Sequence, residues 1–125
     1  ACPDGYDPDS RVLDFAKEYD CFTLCRAPLE AAKDADVIIT DVWASMGQEE
    51  EAEKRKKAFA GYQINGQLMA AAHKDAMVQH CLPAHRGEEI TAEVFEAHGA
   101  EIFEEAENRL HAQKAVMVQL MADKA

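Results

Sequence analysis

Val37-Ile38-Ile39-Thr40 is an uninterrupted β-branched run with no polar alternation. Branching at Cβ restricts χ1 and favours a pleated strand over a helix. A strand with one wet face alternates apolar and polar residues. This run does not, so it reads as a strand buried on both faces, the kind found in parallel sheets covered by helices.

The flanking segments change period around it. Asp7-Pro8 reads as an N-cap followed by the first helical position, and Val12, Phe15, Ala16 and Tyr19 then recur at helical spacing. Residues 21–25 read as a short strand and 28–34 as a short helix. A charged helix is expected over about 48–59, and another starts near Asn65 and carries Leu68, Met69 and Ala72. Residues 77–81 read as a further strand, 91–97 as a helix, 102–103 as a last short strand and about 107–122 as a final helix. Alternating strands and helices predict an α/β protein with helical layers on a mostly parallel sheet.

A chain of 125 residues suffices for one domain and is too short for two. Its formal net charge of −11 repels phosphate backbones, which argues against nucleic acid as a partner. The one basic cluster, Lys54-Arg55-Lys56-Lys57, follows a run of glutamates. Glu50–Lys54, Glu51–Arg55 and Glu53–Lys57 are spaced as i,i+4 pairs, so this reads as a solvated, self-paired helix face. No apolar run approaches the ~20 residues of a membrane span. The first residues show neither a basic nor an apolar stretch of a secretory signal, so the cysteines are expected to be reduced thiols. Cys21 and Cys25 are expected to share one strand face as small apolar residues. The opening Ala1-Cys2-Pro3 resembles the tail of a strand and there is no initiator Met, so the sequence reads as a piece of something longer.

In open parallel sheets ligands bind beyond the carboxyl ends of the strands. After 37–40 comes Asp41-Val-Trp-Ala-Ser45-Met46-Gly47. After the second strand comes His80-Cys81-Leu82-Pro83. After 102–103 comes a glutamate-rich stretch with Arg109 in the expected first turn of a helix. A carboxylate can hold an amine, a thiol can polarise a neighbour, and a guanidinium can clamp a phosphate or carboxylate. Each also has a plain structural reading. Asp41 caps its own turn or serves a site; Cys81 is a buried small residue or a site thiol. Arg109 opposes the helix dipole, so it either answers an anionic ligand or pairs with Glu104, Glu105 or Glu107. His80, Cys81 and His85 lie close in sequence, but His73, His98 and His111 supply no second ligand pair, so no metal is expected. No glycine-rich phosphate loop is present.

These motifs resemble the ornithine carbamoyltransferase family, in its second, ornithine-binding domain. The resemblance rests on Asp41 to Glu49 (Asp-Val-Trp-Ala-Ser-Met-Gly-Gln-Glu), Tyr62-Gln-Ile-Asn65, His80-Cys-Leu-Pro-Ala-His-Arg-Gly87 and Glu107-Asn-Arg-Leu-His-Ala-Gln-Lys-Ala115, in order along essentially the whole chain. It implies a Rossmann-like α/β/α fold, incomplete here, with residues 1–125 as a partial ornithine-binding domain lacking its first strand and the carbamoyl-phosphate domain. It implies carbamoyl transfer from carbamoyl phosphate to the δ-amine of L-ornithine, giving citrulline and phosphate, within arginine biosynthesis. On this resemblance Asp41 holds the α-ammonium, and Ser45 with the Met46 backbone takes the carboxylate. Cys81 and Leu82 border the carbamoyl group and the δ-amine, and Arg109 reaches the carbamoyl phosphate. The substrate amine is the nucleophile, and no cofactor is implied. The family implies a homo-oligomer, a trimer when intact, in the cytoplasm or, in a eukaryote, the mitochondrial matrix. The chain by itself is expected to be inactive. The alternative expectation is a non-catalytic fragment that binds an amino acid or associates with copies of itself.

Overall fold

The computed structural model describes residues 1–45, 47 and 49–122. Its centre is a two-stranded parallel sheet, β1 (Val37–Thr40) beside β2 (Met77–His80), with Val37 opposite Met77 and Thr40 opposite His80. The ladder is extended by backbone bonds from His73 N to Ala35 O and from Met77 N to Asp36 O, each 3.0 Å. Ile38 and Val78 point into the core. Ile39 stays 69% exposed, which corrects the expectation of burial on both faces: helices cover one face of β1 and leave the other open.

Helices flank this pair, and among the described residues three of the six α-helices begin on a side chain that caps them. α2 (Pro28–Ala32) starts on Pro28, whose missing N–H is no loss there. α4 (Gly66–Ala71) is capped by Asn65, which accepts from Leu68 N, and α5 (Ala92–Ala97) by Thr91, which accepts from Val94 N. The charged segment forms a 3-10 turn at Glu49–Glu51 and then α3 (Ala52–Ala58). Of its expected i,i+4 pairs, Glu51–Arg55 forms at 3.4 Å. Among the described residues the other two do not.

Three expectations are overturned. The first helix, α1 (Ser10–Ala16), is capped by Asp9 rather than Asp7, because Asp7 is engaged by the Arg26 guanidinium. Residues 21–25 form no strand. A strand exists through its ladder, and this stretch has a single backbone link, Cys2 N to Cys25 O at 3.4 Å. Cys21 is exposed while Cys25 is half-buried, so they do not share a buried face. Finally, Ile102 and Phe103 lie inside one long helix, α6 (Gly99–Met121). Their neighbours are mostly alanine and glutamate, strong helix formers, and two apolar residues do not outweigh them.

The start of α6 stands where a further strand would add to β2. Ile102 is fully buried, and Glu101 Oε1 accepts from Val78 N at 2.9 Å, satisfying a donor on the outer edge of β2. His98 shares the same carboxylate. The core joins Ala32, Ile38, Ile64, Leu68, Val78, Ile90, Val94, Phe95 and Ile102. Beyond residue 106 every described residue of α6 is exposed.

Candidate active site

The carboxyl ends of β1 and β2 place Asp41 and Cys81 side by side, with ligand-type atoms of Asp41, His80 and Cys81 all within 4.8 Å. Parallel, in-register pairing causes this: the residue after Thr40 necessarily neighbours the residue after His80. The structural reading of Asp41 is realised, since Oδ1 accepts from Val42 N at 2.8 Å, and the carboxylate also lies beside the Cys81 thiol. Cys81 itself is exposed, so the reading of a buried small residue does not hold.

The electrostatics fix the state of the thiol. Loss of water around it, then the hydrogen bond and charge of Asp41, then the charge of Glu105, all push the Cys81 pKa above its ordinary value. At neutral pH the group is a protonated thiol beside the Asp41 carboxylate. Two carboxylates beside a neutral thiol make an anionic recess, and a cationic amine is the complementary ligand.

Beneath the recess lies a buried relay that the sequence did not announce. His80 and Glu89 are both fully buried, with His80 Nε2 3.0 Å from Glu89 Oε1. The Leu82 N–H donates to His80 Nδ1 at 2.9 Å, so that nitrogen carries no proton and the hydrogen sits on Nε2, facing Glu89. Glu89 Oε1 also accepts from His85 N at 2.6 Å. A buried carboxylate is costly unless hydrogen-bonded, and these donors partly offset that cost; Oε2 finds no partner among the described residues. The relay holds Leu82 in a left-handed conformation (φ 56°) ahead of a cis bond to Pro83. It thereby sets the backbone that follows Cys81. A turn from Gly87 N to Ile90 O returns the chain so that Glu89 reaches His80. Nine residues of separation with no helical or strand period gave no signal for that pairing.

The other expected residues are distributed around this centre. Ser45 is exposed in the loop after β1, and Leu82 is half-buried beside the core. Met46 falls outside the described residues. Arg109 is exposed in the body of α6, not in a first turn, so the helix-dipole argument for it lapses. It follows Glu105 by one helical turn on the same side of α6, and among the described residues it has no ion-pair partner. The structure thus brings Asp41, Cys81 and Glu105 together and leaves Arg109 a turn away from Glu105.

Neither trio of metal-type side chains offers a free donor set. In Asp41/His80/Cys81 both imidazole nitrogens are committed, and in His85/Glu88/Glu89 the carboxylates bind Lys56 and His80. A cavity of about 450 Å³ runs along β1 from Ala1 to Asp41, lined by Ile38, Trp43, Phe59 and Leu68 among others. It reaches Asp41 but not Cys81, so it runs along the uncovered flank of β1 and meets the recess only at Asp41.

A Rossmann-like α/β chain with an acid and a thiol at adjoining parallel strand ends has close parallels among transferases. The family model for the Asp/Orn binding domain of aspartate/ornithine carbamoyltransferase matches residues 1–120, and the chain belongs to that family. Ornithine carbamoyltransferase from Hydrogenovibrio crunogenus is 53% identical over 122 residues, covering 98% of this chain and 40% of that protein. The enzyme of the same name from Syntrophus aciditrophicus is 56% identical over 119 residues, covering 94% and 39%. The solved ornithine carbamoyltransferase from Pyrococcus furiosus superposes with a TM-score of 0.86 at 49% identity, covering 98% of this chain and 41% of that one. The chain thus spans about 40% of the length of the curated relatives it matches.

Proposed function

We propose that residues 1–125 form part of the ornithine-binding domain of a carbamoyltransferase that converts L-ornithine and carbamoyl phosphate to citrulline and phosphate. The observation that carries this reading is the Asp41–Cys81 pair at adjoining strand ends, with Glu105 beside it. In this reading Asp41 holds the α-ammonium of ornithine, while Ser45 and Met46 take its carboxylate. Cys81 and Leu82 border the reacting δ-amine and the carbamoyl group, and Arg109 reaches the carbamoyl phosphate.

An alkyl amine has a pKa of about 10.4 and must lose a proton before it attacks a carbonyl carbon. Loss of water, then Asp41 and Glu105, keep Cys81 a neutral thiol that orients the amine by hydrogen bonding; the ammonium proton passes to solvent, the free amine attacks the carbamoyl carbon, and phosphate leaves with the electrons of the broken C–O bond. The amine is the nucleophile, and no acyl-cysteine forms. The protein acts in the cytoplasm within arginine biosynthesis, as a homo-oligomer. No helix of the described residues is long and apolar enough to cross a membrane.

The test is citrulline formation from the two substrates by this chain, with Cys81→Ala as control, beside a calorimetric titration with L-ornithine. Ornithine binding that Asp41→Asn abolishes supports the reading, and turnover dependent on Cys81 extends it to catalysis by the chain alone. A folded chain that ignores ornithine counts against it.

One observation favours a second reading, a non-catalytic self-associating chain: Leu110, Met117, Leu120 and Met121 are all exposed on α6. Light scattering after size exclusion decides it, and a monomer at micromolar concentration rules it out.

A further inference from the structure

Arg55 and Lys56 are neighbours on α3, yet each grips a different loop. Arg55 Nη1 donates to the Trp43 carbonyl at 3.4 Å, in the stretch after β1 that leads to Ser45. Lys56 Nζ lies 2.9 Å from Glu88 Oε1, in the loop after β2 that carries Cys81. The Glu88 end is itself anchored. Its carbonyl accepts from Gln63 Nε2 at 2.7 Å, and the next residue, Glu89, runs back to His80. α3 therefore spans the two loops that frame the recess. Among the described residues, Lys56–Glu88 is the one ion pair joining α3 to the second loop.

We propose that Lys56 and Glu88 form a positioning latch, which sets where α3 and the Trp43–Ser45 stretch lie relative to Cys81 and so tunes capture of an amino-acid substrate. The proposal rests on the reading of the recess as an ornithine site. Neither residue touches substrate; both act through the loops they join. Geometry makes the latch weak by design of its setting: the side chains remain 42% and 33% exposed, so salt competes with the pair. The Glu88 carboxylate, by hydrogen bond and then by charge, also raises the Lys56 pKa, which keeps the ammonium charged throughout the working range.

The experiment compares the full chain with Lys56→Gln, Glu88→Gln and the exchanged pair Lys56→Glu/Glu88→Lys. Hydrogen exchange is read at the α3 amides and at residues 82–88, and L-ornithine affinity is read by calorimetry. Each single variant is expected to speed α3 exchange by about 1.5- to fivefold and weaken ornithine binding by the same factor. The β1 and β2 amides should keep their protection, and the exchanged pair should restore both readouts. Salt at about 0.5 M should bring the unsubstituted chain to the single-variant rate. Unchanged α3 exchange in the single variants, or an exchanged pair that restores nothing, overturns the latch. If the unsubstituted chain binds no ornithine, the substrate reading falls, while the exchange comparison still decides the latch.

Discussion

The middle of the chain and its two ends follow different rules. Between Ile64 and Ile102, Leu68, Val78, Ile90, Val94 and Phe95 all enter a shared core, and even the polar pair His80–Glu89 is fully buried. At the ends, α1 and the outer half of α6 keep their large apolar residues in water: Phe15 is 60% exposed and Leu120 is 80% exposed. The amino-terminal part is held by the Arg26 guanidinium, which binds Asp4, Asp7 and the Cys2 carbonyl, with Tyr62 bonded to the Arg26 carbonyl. Burial secures the middle and exposed polar links secure the amino-terminal end. The site loops after β1 and β2 sit on the buried part, where a side chain's position is set by packing. A recess that must hold a carboxylate beside a thiol needs that rigidity.

The sharpest way to break this contrast is to truncate one apolar residue in each region. Ile102→Ala is expected to cost about 2–5 kcal/mol in urea unfolding, whereas Leu120→Ala on the same helix should stay within about 0.5 kcal/mol. Equal losses would mean that the outer half of α6 is buried in solution, for instance against a second copy.

The polar links allow the same comparison at smaller scale. Glu89→Ala leaves the His80 Nε2–H without its partner in the core and should lower stability by about 1–3 kcal/mol. Asp7→Asn removes an exposed partner of Arg26 and should do much less. The sign follows from the shift. Arg26 holds the Asp7 carboxyl below the usual carboxylate range, so its stabilisation is present above that range and is lost as pH falls through the lowered pKa. Melting curves of Asp7→Asn and the unsubstituted chain should therefore differ slightly at neutral pH and converge in acid. A difference that persists in acid would assign Asp7 a role other than this pair.

The smallest effect is local to the recess. Asp41→Asn removes a negative charge that raises the Cys81 pKa, so more thiolate is present at pH 8. Alkylation of Cys81 at pH 8 should therefore be faster in the variant than in the unsubstituted chain. An unchanged rate would show that desolvation alone sets the thiol, and the Asp41–Cys81 contact would lose its electrostatic meaning.

Local signals read well where the chain satisfies itself locally. Pro28, Asn65 and Thr91 mark the helix starts they were expected to mark, and the β-branched run and 77–80 are the two strands that pair. The reading failed where an element depends on a distant partner. Residues 21–25 have strand composition but no ladder, Ile102-Phe103 joins a helix, and Asp7 loses its cap role to Arg26, far along the chain.

The sequence by itself determined the α/β alternation, the acidic charge, and the placing of Asp41 and Cys81 just past two strands. Hydrophobic period and caps act over a few residues, so they are written in the chain. Tertiary structure alone decided that these two parallel strands are adjacent and in which register, which makes Asp41 and Cys81 neighbours. It also decided that Glu89 returns under His80, and that Lys56 turns from its own helix to Glu88. Those contacts depend on how loops close in space, and an electrostatic shift such as that of Cys81 exists only once burial and neighbouring charges are fixed together.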